Sequence, residues 1–326
     1  MASFLDSLSQ TFTPEVNTVV GKTTGIDTGS IVKGLAVVGP LLLGAMAKRA
    51  AAPNGLDGLN RALPQDGGAG LGNILGMFTG GGAGLTAALG GLFGSGMSAT
   101  GSTLDRKLGF KASSLIPLVT PVALALLARK KAAEKLEPDA LARSLREEHE
   151  AVVAKGGEAV ALAKSALEAG AKASELRGRF TPDQWTRIRL APGAAARLVM
   201  LASPSGAMGS VKEASAAALA IEAARSTADP ASLIAQAFDS DITREEVTVL
   251  GKDRATTLGV LKEAVNAVST RSPNDLPTFA QFVHGVAFKV AEETKEGGFL
   301  GIGGTKVSKE EQAVLDEIDS LTGALA

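Results

Sequence analysis

Few residue types in this 326-residue chain could do chemistry, and their spacing sets most of them aside. There are two histidines, His149 and His284, and no cysteine or tyrosine. A metal site built on histidine would need both residues and further ligands. One lies in the charged run Arg146-Glu147-Glu148-His149-Glu150 and the other in the apolar run Phe282-Val283-His284-Gly285-Val286, far apart in sequence. His149 therefore reads as a solvated helix residue and His284 as a core histidine with a hydrogen-bonding neighbour. The missing cysteines remove disulfides, thiolate ligands and thiol nucleophiles, and they fit a reducing cytoplasm, the location expected here.

Three other motifs come close to known chemistry. Gly21-Lys22-Thr23-Thr24 imitates the end of a phosphate-binding loop, but Val16 stands where the motif needs glycine. Gly301-Ile302-Gly303-Gly304 is half of a dinucleotide fingerprint without a strand before it. Ser203-Pro204-Ser205-Gly206 has no histidine near it in sequence. The carboxylate pairs Glu245-Glu246, Glu292-Glu293 and Glu310-Glu311 lie near helix ends, and those at helix starts favour the helix dipole. The expectation is no catalytic residue, no metal, no cofactor, and a protein that is not an enzyme.

The elements that would carry such residues are helices. An internal repeat organises the first part: at an offset of 81 residues Pro40 falls on Pro121, Ala47 on Ala128, and Lys48-Arg49 on Arg129-Lys130. Upstream, Gly25-Ile26 matches Gly109-Phe110 with a three-residue gap. The two copies of one apolar helical unit are joined by a glycine-rich connector. Pro40 either kinks its helix or divides it. Thr13-Pro14, Thr181-Pro182-Asp183-Gln184 and Ser308-Lys309-Glu310-Glu311 are helix starts. Later helices are predicted over 182–190, 192–202, 210–226, 230–238, 243–250, 253–270, 276–295 and 308–324. The fold class is all-α, with two helical domains at 1–133 and 180–326. A charged helical stretch occupies 134–179, either a solvent-exposed connector or a hairpin of helices.

Residues 67–104 carry no charge, and 14 of the 35 residues from Gly67 to Gly101 are glycine. Leu71, Ile74, Leu75 and Phe78 nonetheless follow one helix face, and Leu85, Leu89, Leu92 and Phe93 nearly form another. A solvated linker would not hold these groups, so they are the candidate interface residues. The uncharged runs Gly34–Ala47 and Ala112–Ala128 are shorter than a membrane span. A 14-residue helix covers about 21 Å of a ~30 Å hydrocarbon core.

The order Gly39-Pro40-Leu41-Leu42-Leu43-Gly44-Ala45-Met46-Ala47-Lys48, the glycine-rich middle and Thr120-Pro121-Val122-Ala123-Leu124-Ala125-Leu126-Leu127-Ala128-Arg129 resemble the bacterial YidB-like family of unknown function. The resemblance covers about residues 1–131. It implies an all-helical bacterial protein and supplies no catalytic residues. Residues 180–326 are similar to uncharacterised bacterial helical domains.

The 33 basic and 34 acidic residues leave a net charge of -1, without the basic footprint a nucleic-acid partner would require. Arg129-Lys130-Lys131 ends an apolar helix, where cations offset the dipole. The start, Met1 to Gln10, lacks the basic n-region of a secretory signal. Together these readings give a non-enzymatic structural or interaction protein that forms a homo-oligomer through its glycine-rich apolar half, with a protein partner conceivable for the C-terminal domain. The alternative is a membrane-associated protein that inserts residues 67–128.

Overall fold

The computed structural model describes residues 3–63, 83–202, 206–293 and 307–323. Among these residues every regular element is a helix and no strand occurs, so the fold is all-α. The chain divides into two compact units, Met1–Ser174 and Glu175–Ala326.

The first unit begins with α1 (Phe4–Thr11), α2 (Pro14–Thr24) and α3 (Thr28–Ala51), each started by its own cap. Ser3 and Asp6 form a reciprocal capping box on α1. The Thr13 and Asp27 side chains accept backbone N–H bonds at the starts of α2 and α3. Then follow α4 (Gly55–Ala62), α5 (Ala83–Phe93), α6 (Met97–Leu108) and α7 (Ile116–Ala133), and finally α8 (Pro138–Lys155) and α9 (Glu158–Gly178).

The repeat has a structural counterpart. α2 ends at Gly25 (φ 72°) and α6 ends at Gly109 (φ 77°). Both are left-handed caps that only glycine adopts cheaply, and both turn the chain into a long apolar helix with an internal proline. Neither proline breaks its helix. α3 runs unbroken through Pro40 and α7 through Pro121, and the two helices pack on each other. A proline lacks the N–H that the carbonyl four residues earlier would accept. The full burial of Leu41, Leu42, Leu43 and Met46 outweighs that loss.

α8 and α9 carry the charges that mark residues 134–179 as a connector, yet Leu141, Leu145, Ala163 and Ala166 on their inner faces join the core built by α3 and α7. Their charges also serve the unit. Glu148 accepts the backbone N–H of Phe4 at 3.2 Å and pairs with Lys130, while Lys131 donates to the Asn60 side chain at 2.9 Å. The charge pattern thus described one face of helices whose other face is apolar. α9 and the start of α6 meet backbone to backbone: a Cβ on Gly96 would collide with the Gly170 main chain, and one on Gly170 with Thr100.

The second unit is built on α10 (Pro182–Ala202), packed between α14 (Arg254–Arg271) and α15 (Leu276–Glu293), with α11 (Gly206–Thr227) against α15 and α16 (Lys309–Thr322) alongside. α10 continues through Pro192, where the sequence suggested two helices; Ala191, Pro192, Ala194 and Ala195 are all buried, and the packing holds the helix together. Two short helices, α12 (Leu233–Ala237) and α13 (Arg244–Thr248), fill the stretch before α14. Arg189 ties this stretch to α10. Its guanidinium donates to the Ala237, Ser240 and Asp241 carbonyls at 2.9, 2.9 and 2.8 Å, and it pairs with Glu246 at 2.6 Å. The expected helix starts are present at Thr181/Gln184 and Ser308/Glu311.

Candidate functional site

α3 has a pocket on two of its sides, both in the first unit. One pocket, of about 290 Å³, lies among α1, α2 and α3, with Leu5, Leu8, Phe12, Val32 and Leu35 as apolar walls and the Gly39-Pro40 segment at one side. α1 sits close on that segment, since a Cβ on Gly39 would lie 3.1 Å from Leu5. Asn17 of α2 is the buried polar group of this pocket, 5% exposed. Its Nδ2 donates to the Phe12 carbonyl at 3.2 Å, which fixes the amide's orientation. Its Oδ1 is buried and has no hydrogen-bond donor. No motif in the sequence marks Asn17. The available signal was a residue of poor helix propensity inside a helix, one position after Val16.

The second pocket, also about 290 Å³, lies among α3, α8 and α9. Pro40, Gly44, Val152, Val160, Ala163 and Leu167 give it apolar walls, and Lys48, Lys164 and Glu168 carry charge at it. His149, expected to be solvated, is half-buried here. A methyl group on Gly44 would lie 3.1 Å from its Nε2 and 2.7 Å from Leu167, so glycine makes room for the ring.

In the second unit His284 has the neighbour expected of it. Nδ1 lies 2.6 Å from Asp319 Oδ1, and Phe288 stacks on the ring at 6.1 Å. The imidazole is half-buried rather than in the core. Of this pair, Asp319 is the residue the sequence did not reveal, because it comes from α16, 35 positions away. The outer face of α11 is the most exposed apolar surface described. Val211 is 67% exposed and Leu219 is 72% exposed, two turns apart.

The remaining candidates fall as follows. Leu71, Ile74, Leu75 and Phe78 lie outside the described residues, and Leu85 lies in α5 with its side chain outside the description. Leu89, Leu92 and Phe93 lie on α5. Phe93 is buried, and Leu89 and Leu92 are partly buried against the first unit's own core. Gly21-Lys22-Thr23-Thr24 forms the last turn of α2, and both threonine hydroxyls donate to carbonyls within that helix. A phosphate cradle needs free N–H groups at a helix start, the opposite end. Ser203–Ser205 and the Gly301–Gly304 stretch lie outside the described residues. Glu246 and Glu311 complete capping boxes. Among the described residues no group of three His, Asp or Glu side chains could hold a metal ion.

Two helical stretches, Thr28–Ala51 and Ala112–Ala133, are long and apolar enough to cross a membrane, with mean hydropathy 1.8 and 1.6. Their uncharged cores alone, Gly34–Ala47 and Ala112–Ala128, are shorter than these helices. Over the most apolar windows, 72% and 61% of the residues are buried inside the protein, the pattern that core helices also give.

Residues 6–130 match the family described as "Bacterial protein of unknown function (DUF937)". The match thus covers the repeated helices and the connector between them. It stops within α7, before α8 and α9 complete the same unit. It supports likeness to a bacterial family of unknown function; neither the narrower YidB-like likeness nor the likeness of the C-terminal half receives a match. No curated protein and no solved structure matches the chain.

Proposed function

We propose that this protein works by association rather than catalysis, and that a second copy of the chain docks on the outer face of α11. The observation that carries this reading is the exposure of Val211 and Leu219 on one face, with no charged residue from Ala214 to Ile221. Single exposed apolar residues are ordinary. Two of them at two-turn spacing, with the small residues Ala214, Ser215 and Ala218 between, form a surface another helix can approach closely. An antiparallel arrangement about a twofold axis near Ser215 sets Val211 against Leu219 of the second copy. The same arrangement brings the flanking Lys212 within one turn of the second copy's Glu222, which also pairs with Arg225 of its own helix.

Light scattering on a sizing column, up to about 100 µM protein, tests the proposal. The expected result is a mass that is a multiple of 32.9 kDa, reduced to the monomer by Val211→Lys with Leu219→Lys while helical content is unchanged. A monomer at every concentration, or an assembly that ignores both substitutions, would refute docking at this face. The two long apolar helices favour a second reading, association with a membrane. Co-sedimentation with lipid vesicles tests it, and protein left wholly in the supernatant rejects it.

A further inference from the structure

We infer that the pocket among α3, α8 and α9 binds a free carboxylic acid with an apolar tail. The tail lies on the valine and leucine walls, and the carboxylate is received by Lys48 at the mouth. The site lies within the first unit and is independent of docking at α11, which belongs to the second.

The walls set the tail. Val152, Val160 and Leu167 line the pocket and are only half-buried, so the chain leaves part of their apolar surface uncovered. Gly44 forms the floor, because Leu167 and His149 close on it and leave no room for a side chain. Val153, 41% exposed, sits on the rim, so the pocket opens to solvent there. An apolar cavity of about 150 Å³ suffices for benzene. A pocket of about 290 Å³ therefore takes a longer body, on the order of eight carbons.

Charge selects the head. Lys48 and Lys164 line the pocket against one acid, Glu168. Lys164 and Glu168 are one turn apart on α9 and pair at 3.9 Å. Lys48 is exposed, within reach of a ligand, and has no ion pair among the described residues. One uncompensated cation beside an apolar pocket matches one negative charge on an apolar body. A phosphate dianion would bring a second charge toward Glu168 with no second unpaired cation to receive it, and Lys48 would repel an ammonium head. His149 lines the same pocket, and neither of its ring nitrogens is hydrogen-bonded among the described residues. Its ring therefore reports directly on what enters.

The test compares octanoate with octylammonium, which share a tail and carry opposite charges. Binding to the full-length protein is followed by NMR at constant, near-neutral pH through the His149 ring protons. His284, in the other unit and the chain's one other histidine, is the internal control. The expected result is a saturable His149 shift, with octanoate bound at least about tenfold tighter than octylammonium, since attraction of one probe and repulsion of the other both count. Lys48→Gln, at an exposed position, should erase the preference and leave helical content unchanged. Val153→Trp, also at an exposed position, should close the mouth and weaken both probes. Equal affinity of the two probes, or a preference that survives Lys48→Gln, would overturn Lys48 as the partner of the carboxylate. The site itself is overturned by no His149 shift at millimolar octanoate, by an equal shift of His284, or by binding that Val153→Trp leaves unchanged.

Discussion

The approach of α6 to α9 makes the substitution Gly96→Ala a sharp test of the packing. Gly96 has an ordinary backbone (φ -86°, ψ 1°), so alanine meets no conformational penalty there. What it meets is the main chain of Gly170, which cannot turn aside as a side-chain tip would. One added methyl group in a tight core costs about 1–3 kcal/mol, and a contact against backbone belongs at the upper end of that range. For a unit of 174 residues, about 3 kcal/mol lowers the melting temperature by about 6–12 °C. Gly91→Ala supplies the control. Gly91 lies on the exposed side of α5, and a Cβ there has nothing within 4 Å. That substitution should stabilise by about 0.5–1 kcal/mol through backbone entropy and helix propensity. Differential scanning calorimetry of both variants reads the two signs directly. If Gly96→Ala melts with or above the unsubstituted protein, α6 and α9 do not meet at this point.

Further outcomes follow from the second unit and the caps. Arg189→Ala should cost about 3–5 kcal/mol, measured by urea unfolding, because it leaves three carbonyls and the half-buried Glu246 without their cation. Arg189→Lys should recover only part, since an ammonium ion cannot reproduce the guanidinium fork. The Asp27 carboxyl, held below its ordinary value of 3.8 by hydrogen bonds from Ser30, contributes stability that is complete above that value. That contribution is lost as pH falls through the lower folded value. Asp253, lowered by the Thr256 backbone and side chain, behaves alike. Melting temperature should therefore drop on acidification below about pH 4, and Asp27→Asn, which keeps a capping acceptor, should make that drop shallower.

The helices were legible because their ends are written locally. Thr13-Pro14, Thr181-Pro182 and Ser308–Glu311 are capping chemistry within four residues, and each starts a helix. The prolines misled in part: the continuity of α10 past Pro192 depends on residues buried around it, which no local rule contains. The charge-rich stretch after Lys131 reads as a connector or a hairpin of helices, and its buried face was the part less legible. Composition averages over both faces of a helix, so Leu141 and Leu145 were outvoted by neighbours that face water. Leu89, Leu92 and Phe93 are apolar as read, and this chain's own core covers Phe93 fully and the two leucines in part, a division that apolarity alone does not reveal. Asn17 escaped notice because an unanswered carbonyl oxygen is a property of a site, not of a residue type.

The way α8 and α9 complete the first core also bears on the order of synthesis. α3 leaves the ribosome as a 24-residue apolar helix, and Leu141 and Leu145, which help to cover it, follow roughly 100 residues later. At a translation speed of about 5–20 residues per second, the nascent chain exposes that surface for about 5–20 seconds. During this interval α3 is the segment that a chaperone or a membrane-targeting factor would meet first, before the finished protein has hidden it.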